Sequence, residues 1–252
     1  LPAAAAPRRR LLLAACAALL LPAARRVQAA ARHLSLATGS REPMVSVAGR
    51  PGFAEEVARA ALARLGYTLT VVPLPVERAL VNANAGIEDG DLMRVAGFEK
   101  DYPNLVQVPE PLLHQEFAAF ARRPDIEVRG WADLARYSVA HLTGMKVVER
   151  ELEGRRDVTT VRDIDLLFGL LASGRVEVIV HNRAVTLLAA QRAGLSLRVL
   201  EPPLLRVPMY VYLHRRHAEL APALAAAIAA VRRDGTWQRL HDRILGPLEP
   251  AR

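Results

Sequence analysis

Cysteine is almost missing from this chain. Cys16 is the only one in 252 residues. That excludes a disulfide framework and any cysteine-built metal site, and it leaves no thiol nucleophile beyond the first stretch of sequence. Long apolar runs are missing too. The longest leading run, LLLAACAALLL, has eleven residues before Pro22, roughly half of what a membrane-spanning helix needs. Aromatic residues make up only 5% of the chain, and they do not interleave with a basic stripe, so a nucleic-acid surface is not indicated. There is no Gly-rich phosphate loop, no nucleophile motif and no His/Cys/Asp set at metal-ligand spacing. The seven histidines are scattered; His214 and His217 are three apart, but not on a helix face with acids.

The net charge of +8 is less basic than it looks. Arg8, Arg9, Arg10, Arg25 and Arg26 all fall within residues 1–29, a segment without an acid. Without them the balance is 29 basic to 26 acidic residues. That segment reads as a secretory signal: PRRR is a positive n-region, the apolar run is the h-region, and Val27-Gln28-Ala29 offers small residues for cleavage. The expectation is an exported, periplasmic protein with residues 1–29 removed. The tetrapeptide LAAC ending at Cys16 also resembles a lipobox, which leaves lipidation open.

Behind the leader the pattern is globular, and a chain of 252 residues that is 52% hydrophobic is enough for a real core. Strand-like and helix-like segments alternate. HLSLA reads as a strand. In GFAEEVARAALARLG, Phe53, Val57, Ala61 and Leu65 recur every four residues, with Glu55 and Glu56 in the first turn and Gly66 at the end, which predicts a helix. Similar pairs come after it: TLTVVP and PVERALVNANAG, DVTTV and DIDLLFGLLASG, RVEVIV and AVTLLAAQRAG. LSLRVL and the core of PPLLRVPMYVYLHRR read as two further strands, before two closing helices. This alternation predicts an α/β fold with parallel sheets covered by helices. Four of the five residues from Val176 to Val180 are aliphatic, as expected of a strand buried on both faces. The run then stops at His181 and Asn182. In such folds ligands sit beyond the carboxyl ends of the strands, so these two polar residues are candidate ligand contacts.

The segments LLASGRVEVIVHN and LAAAIAAVRRDGTWQRLHDRIL, with GFAEEVARAALARLGYTLTVV, resemble the periplasmic solute-binding proteins that carry amino acids to ABC transporters, the bacterial extracellular family 3. The resemblance covers about Ala31 to Leu245, in an atypical subgroup: RALVNANAGIEDGDLMRVAG followed by YPNLVQVPEPL replaces the usual first-lobe segment. It implies a two-lobed, type II periplasmic-binding-protein-like fold. Lobe one would take 31–115 and 208–252, and lobe two 116–207. Two crossing strands near Gln115–Arg122 and Leu204–Leu213 would form the hinge. It also implies a monomer without a cofactor, whose partners are a small-molecule ligand and either an ABC permease or a membrane sensor.

Asn182 falls where amino-acid-binding members hold the ligand's ammonium with an aspartate; asparagine is also a good helix N-cap. His181 either lines the cleft or is satisfied within the fold. Thr143 and Gly144 lie between a strand and a helix, where the family binds a carboxylate and where backbone N–H groups attract anions. Arg94 lies in an apolar strand, DLMRVAG, and needs an acid, either from the protein or from an anionic ligand. Arg78 early in its helix, and Thr38, Ser40 and Glu42 after the first strand, complete the candidates. A sensory module and a periplasmic lyase using His181, Glu42 and Arg94 are the alternative readings.

Overall fold

The computed structural model describes residues 32–249; the leader reading, with Cys16, lies outside the described residues. β1 (Arg32–Thr38) runs through the interior, with Leu34, Leu36, Ala37 and Thr38 fully buried. Each such leucine contributes about 1.5–3 kcal/mol by leaving water. α1 (Phe53–Ala63) lays Phe53, Ala54, Val57, Ala58, Ala61 and Leu62 on the same core, the stripe expected from its four-residue repeat. β2 (Tyr67–Pro73) pairs parallel with one side of β1, and β3 (Gly90–Arg94) with the other. Between them α2 (Val76–Ala85) ends at Gly86, whose φ of 73° suits glycine. At Gly90 even a methyl group is excluded, since its Cβ would lie 2.1 Å from the Tyr212 carbonyl oxygen.

The chain then passes the short β4 (Leu105–Gln107) and enters β5 (Leu113–Ala121). β6 (Val139–Leu142), α3 (Lys146–Leu152), β7 (Val158–Val161), α4 (Ile164–Ala172), β8 (Val178–Asn182) and α5 (Arg183–Arg192) come next. Asp163 caps α4 by accepting from Leu166 N at 2.9 Å. β9 (Arg198–His214) is a single strand of 17 residues. It joins the two strands that LSLRVL and PPLLRVPMYVYLHRR predict. Pro208 pairs within it, whereas Pro202 and Pro203 lie in the stretch where its register against β5 shifts, from Phe117–Leu205 to Ala119–Leu200. α6 (Ala221–Arg233) and α7 (Thr236–Ile244) close the described chain, followed by a short turn at Gly246–Leu248.

All nine described strands form one sheet, in the order β2-β1-β3-β9-β5-β8-β6-β7, with β4 on β9. The expectation of parallel sheets holds at both ends, for β2-β1-β3 and for β8-β6-β7. In the middle, β5 and β9 run antiparallel to each other and to their neighbours. The reason is topological: both strands cross between the two halves in opposite directions. The apolar core is correspondingly divided. One cluster joins β1, α1, β3, α6 and the end of β9. Two others cover the opposite faces of β8 and β6, one with Val139, Val178 and Val180, the other with Phe120, Leu167 and Ile179. This is the two-lobed, periplasmic-binding-protein-like α/β fold with crossing strands between its halves.

Candidate functional site

β8 carries the buried run into a polar end. His181 and Asn182 belong to the strand itself, paired with Ala118 and Phe117 of β5. Alternation sends them to different duties. His181 is buried and its Nδ1 lies 2.8 Å from Thr186 Oγ1, a hydroxyl with no exposure. Burial lowers its pKa to about 4, so the ring is neutral at physiological pH and tied to α5. It does not line the cavity at the strand's end. Asn182 does, and it also caps α5: its Oδ1 accepts from Val185 N at 3.1 Å. With that oxygen engaged, Asn182 offers a ligand its Nδ2 amide, a donor.

The cavity occupies about 690 Å³ including its open mouth. Its floor is the crossing strands, through Leu113, His114, Gln115 and Glu116 of β5 and Arg206 of β9. Asn182, Arg183 and Ala184 enter from β8 and α5. The facing wall is apolar and aromatic, with Met44, Phe53, Trp237, His241 and Leu245. Phe53 meets the Trp237 ring edge-on at 5.0 Å, and His241 stacks on Trp237 at 5.3 Å. Trp237 Nε1 is buried with no hydrogen-bond partner among the described residues.

Charges lining the cavity are paired. Arg183 donates from Nε and Nη2 to Glu249 and from Nη1 to Glu201. Burial works against its charge, but the hydrogen bonds to Glu249 and Glu201 outweigh it and push the guanidinium pKa above its ordinary value. Glu116 pairs with Arg206 at 3.1 Å. Burial, with Arg206 and Arg232 nearby, lowers the pKa of His114.

The other sequence candidates are placed elsewhere. Arg94 is buried at the end of β3, where its Nη2 donates to Asp91 Oδ2 at 2.9 Å and to the Val76 carbonyl at 3.1 Å. The acid that Arg94 needs is therefore supplied by the protein. Burial pushes the Asp91 carboxyl above its ordinary value while Arg94 holds it back. Arg78 is exposed on α2. Thr143 and Gly144 are exposed between β6 and α3, and their backbone N–H groups are engaged, by the Val161 carbonyl at 2.8 Å and by Glu149 Oε1 at 2.6 Å. Ser40 N donates to Thr38 Oγ1 at 3.1 Å, closing a local turn. Glu42 accepts from Arg50 at 2.8 Å and from Arg192 of α5 at 2.6 Å. Burial opposes its charge, yet those hydrogen bonds from Arg192 and Arg50 hold its carboxyl below the usual range.

Of the nine ligand candidates, then, the structure brings Asn182 to the cavity. Arg183, Glu116, Arg206, Trp237, His241 and Glu249 are additional lining residues that sequence reasoning missed. Arg183 carried a signal, as the next residue after Asn182 at a strand end. The rest come from β5, β9 and the C-terminal segment around α7, which only the fold brings together.

No family model matches the sequence. An uncharacterized protein of Shewanella oneidensis is 24% identical over 194 residues, which cover 74% of each chain. Solved structures share the fold at low identity. The L-cystine solute receptor of Neisseria gonorrhoeae, in an unliganded open conformation, superimposes with a TM-score of 0.68 at 17% identity, over 86% of this chain and 93% of that one. A histidine kinase sensor domain similar to periplasmic binding proteins gives 0.64 at 20% identity, over 88% and 99%. An ancestral cationic amino acid solute-binding protein gives 0.68 at 18%, over 84% and 95%. Among the described residues no helix is long and apolar enough to cross a membrane, and no group of three or more His, Cys, Asp and Glu could hold a metal ion.

Proposed function

We propose that this chain is an extracytoplasmic solute-binding protein. It captures a small polar, carboxylate-bearing ligand, an amino acid or a relative of one, for an ABC importer, and it does no chemistry on it. The observation that carries this reading is the position of Asn182 and Arg183. Two polar residues at the end of a buried strand line a cavity floored by the crossing strands and walled by α1 and α7. Asn182 presents an N–H donor, which suits an acceptor such as a carboxylate, and Arg183 adds a guanidinium whose N–H groups are held by Glu249 and Glu201. The aromatic wall suits the ligand's apolar part. Lobe one at 31–115 and 208–252, and lobe two at 116–207, would close on the ligand by bending β5 and β9. Periplasmic localisation rests on the leader reading of residues 1–29.

A second reading has its own support. The likeness to a histidine kinase sensor domain spans nearly all of that domain, so the same cavity would serve a membrane receptor. Neighbouring genes separate the two: a permease and an ATPase, or a kinase.

A thermal-shift screen of amino acids, small mono- and dicarboxylates, short peptides, amines and neutral sugars tests capture. A ligand at about a hundred times its dissociation constant stabilises the fold by roughly 2.7 kcal/mol, and it should be recovered unchanged. A chemically altered product would instead support a lyase. No stabilisation by any compound would overturn the reading.

A further inference from the structure

Arg183 stands in the cavity wall with three carboxylates around it. Its Nε donates to both Glu249 oxygens, at 3.1 and 3.2 Å, and its Nη2 to Oε2 at 2.6 Å. Its Nη1 donates to Glu201 at 2.5 Å, and Glu116 lies 3.9 Å from the same nitrogen while pairing with Arg206. Two arginines thus face three acids. Glu249 holds the edge formed by Nε and Nη2, a geometry that accepts a carboxylate through two nitrogens at once. A further carboxylate brought to this guanidinium would add negative charge where acids are already in excess. It would gain the two-nitrogen edge only by replacing Glu249.

Glu249 is placed to give way. Its side chain is 31% exposed, and among the described residues its carboxylate bonds to Arg183 alone. The turn that carries it is anchored separately. Leu248 packs against the core around α1 and also against the core around α4. The Glu249 side chain can therefore swing away while the turn stays seated.

We propose that Glu249 is a built-in competitor at the cavity: its carboxylate and a ligand carboxylate exchange for the same edge of Arg183. This rests on the capture reading above. It makes Arg183 the carboxylate receptor and Glu249 the residue that sets how tightly carboxylates bind.

The test uses the full chain and succinate and acetate as probes. Calorimetry gives affinity, and tryptophan emission in a Trp131→Phe background reports from Trp237 inside the cavity. Glu249→Gln keeps the shape of the side chain and removes its charge, so succinate should bind at least about tenfold more tightly, since ionic hydrogen bonds no longer have to be surrendered. Glu249→Asp, which draws the carboxylate back by one methylene, should show a smaller gain and guards against misfolding in one variant. Arg183→Lys keeps the charge without the planar fork; it should weaken succinate binding and cancel the gain from Glu249→Gln in the double variant. Equal or weaker binding in Glu249→Gln overturns the proposal, as does a gain that persists with Arg183→Lys. If a neutral or cationic compound binds while succinate binds neither form, capture stands and the competition falls. If nothing binds the unaltered protein or Glu249→Gln, both fall.

Discussion

Replacing Arg94 with methionine should unfold the protein more easily without touching the cavity. Arg94 keeps 10% of its side chain exposed and Asp91 none, at 2.9 Å from each other. Removing one member of such a buried pair typically costs about 3–5 kcal/mol, because the other charge is stranded. Arg94 also donates to the Val76 carbonyl, so the loss spreads to the start of α2. For a chain of this size each kcal/mol lowers Tm by roughly 2–4 °C, and a drop of about 6–12 °C is expected for the lower figure. The penalty should depend on pH. Burial already raises the Asp91 pKa in the folded protein, with Arg94 restraining it. Without Arg94 it rises further. A carboxyl with a raised folded pKa binds its proton more tightly in the folded state, so stability is greatest at low pH and is lost as pH rises through the folded value. Urea denaturation at pH 5 and pH 8 should therefore show a larger deficit at pH 8. Asp91→Leu combined with Arg94→Met should recover most of the stability, because an apolar pair leaves no buried charge. A deficit below about 1 kcal/mol, or one equal at both pH values, would refute the assignment of a buried structural pair. Loss of ligand binding in a fully stable Arg94→Met would return Arg94 to the ligand.

Two further outcomes are expected from β8. The His181 pKa is depressed to about 4 by burial, so the unfolded chain takes up a proton first as the solution is acidified; the native state should lose about 3 kcal/mol between roughly pH 6.5 and pH 4, and His181→Asn should flatten that slope in denaturation curves. Asn182→Ala removes the cap on Val185 N and should cost about 1 kcal/mol by urea denaturation, together with weaker binding of whichever carboxylate stabilises the unaltered protein; unchanged affinity would reduce Asn182 to a cap.

Much of the architecture was legible in the sequence because it is encoded locally. The four-residue repeat from Phe53 makes one apolar stripe, and a helix with that stripe can bury it on only one side. The aliphatic run ending at Val180 demands cover on both faces, which placed β8 inside and its polar end at an opening. Asn182 was found for that reason. The local pattern also marked two strands where one exists. Pro202 and Pro203 at the start of the second segment signal a break; the extended run of β9 continues through them, while its pairing with β5 passes from Leu200 to Leu205 and skips them.

By itself, then, the sequence determined where most helices and strands form, that they alternate, and that the strand after Gly174 ends in two polar residues. Periodicity and turn chemistry act over a few residues, and they can be read without knowing the fold. Only the tertiary structure decided the partners of the charges. Arg94 needed an acid, and the irregular register of β3 between the two residues brings it Asp91, three residues back. Arg183 needed one too, and its partners come from positions 116, 201 and 249, on β5, β9 and the turn after α7. Charge pairing is set by distance in space, which the order of residues does not carry until the sheet has brought its strands together.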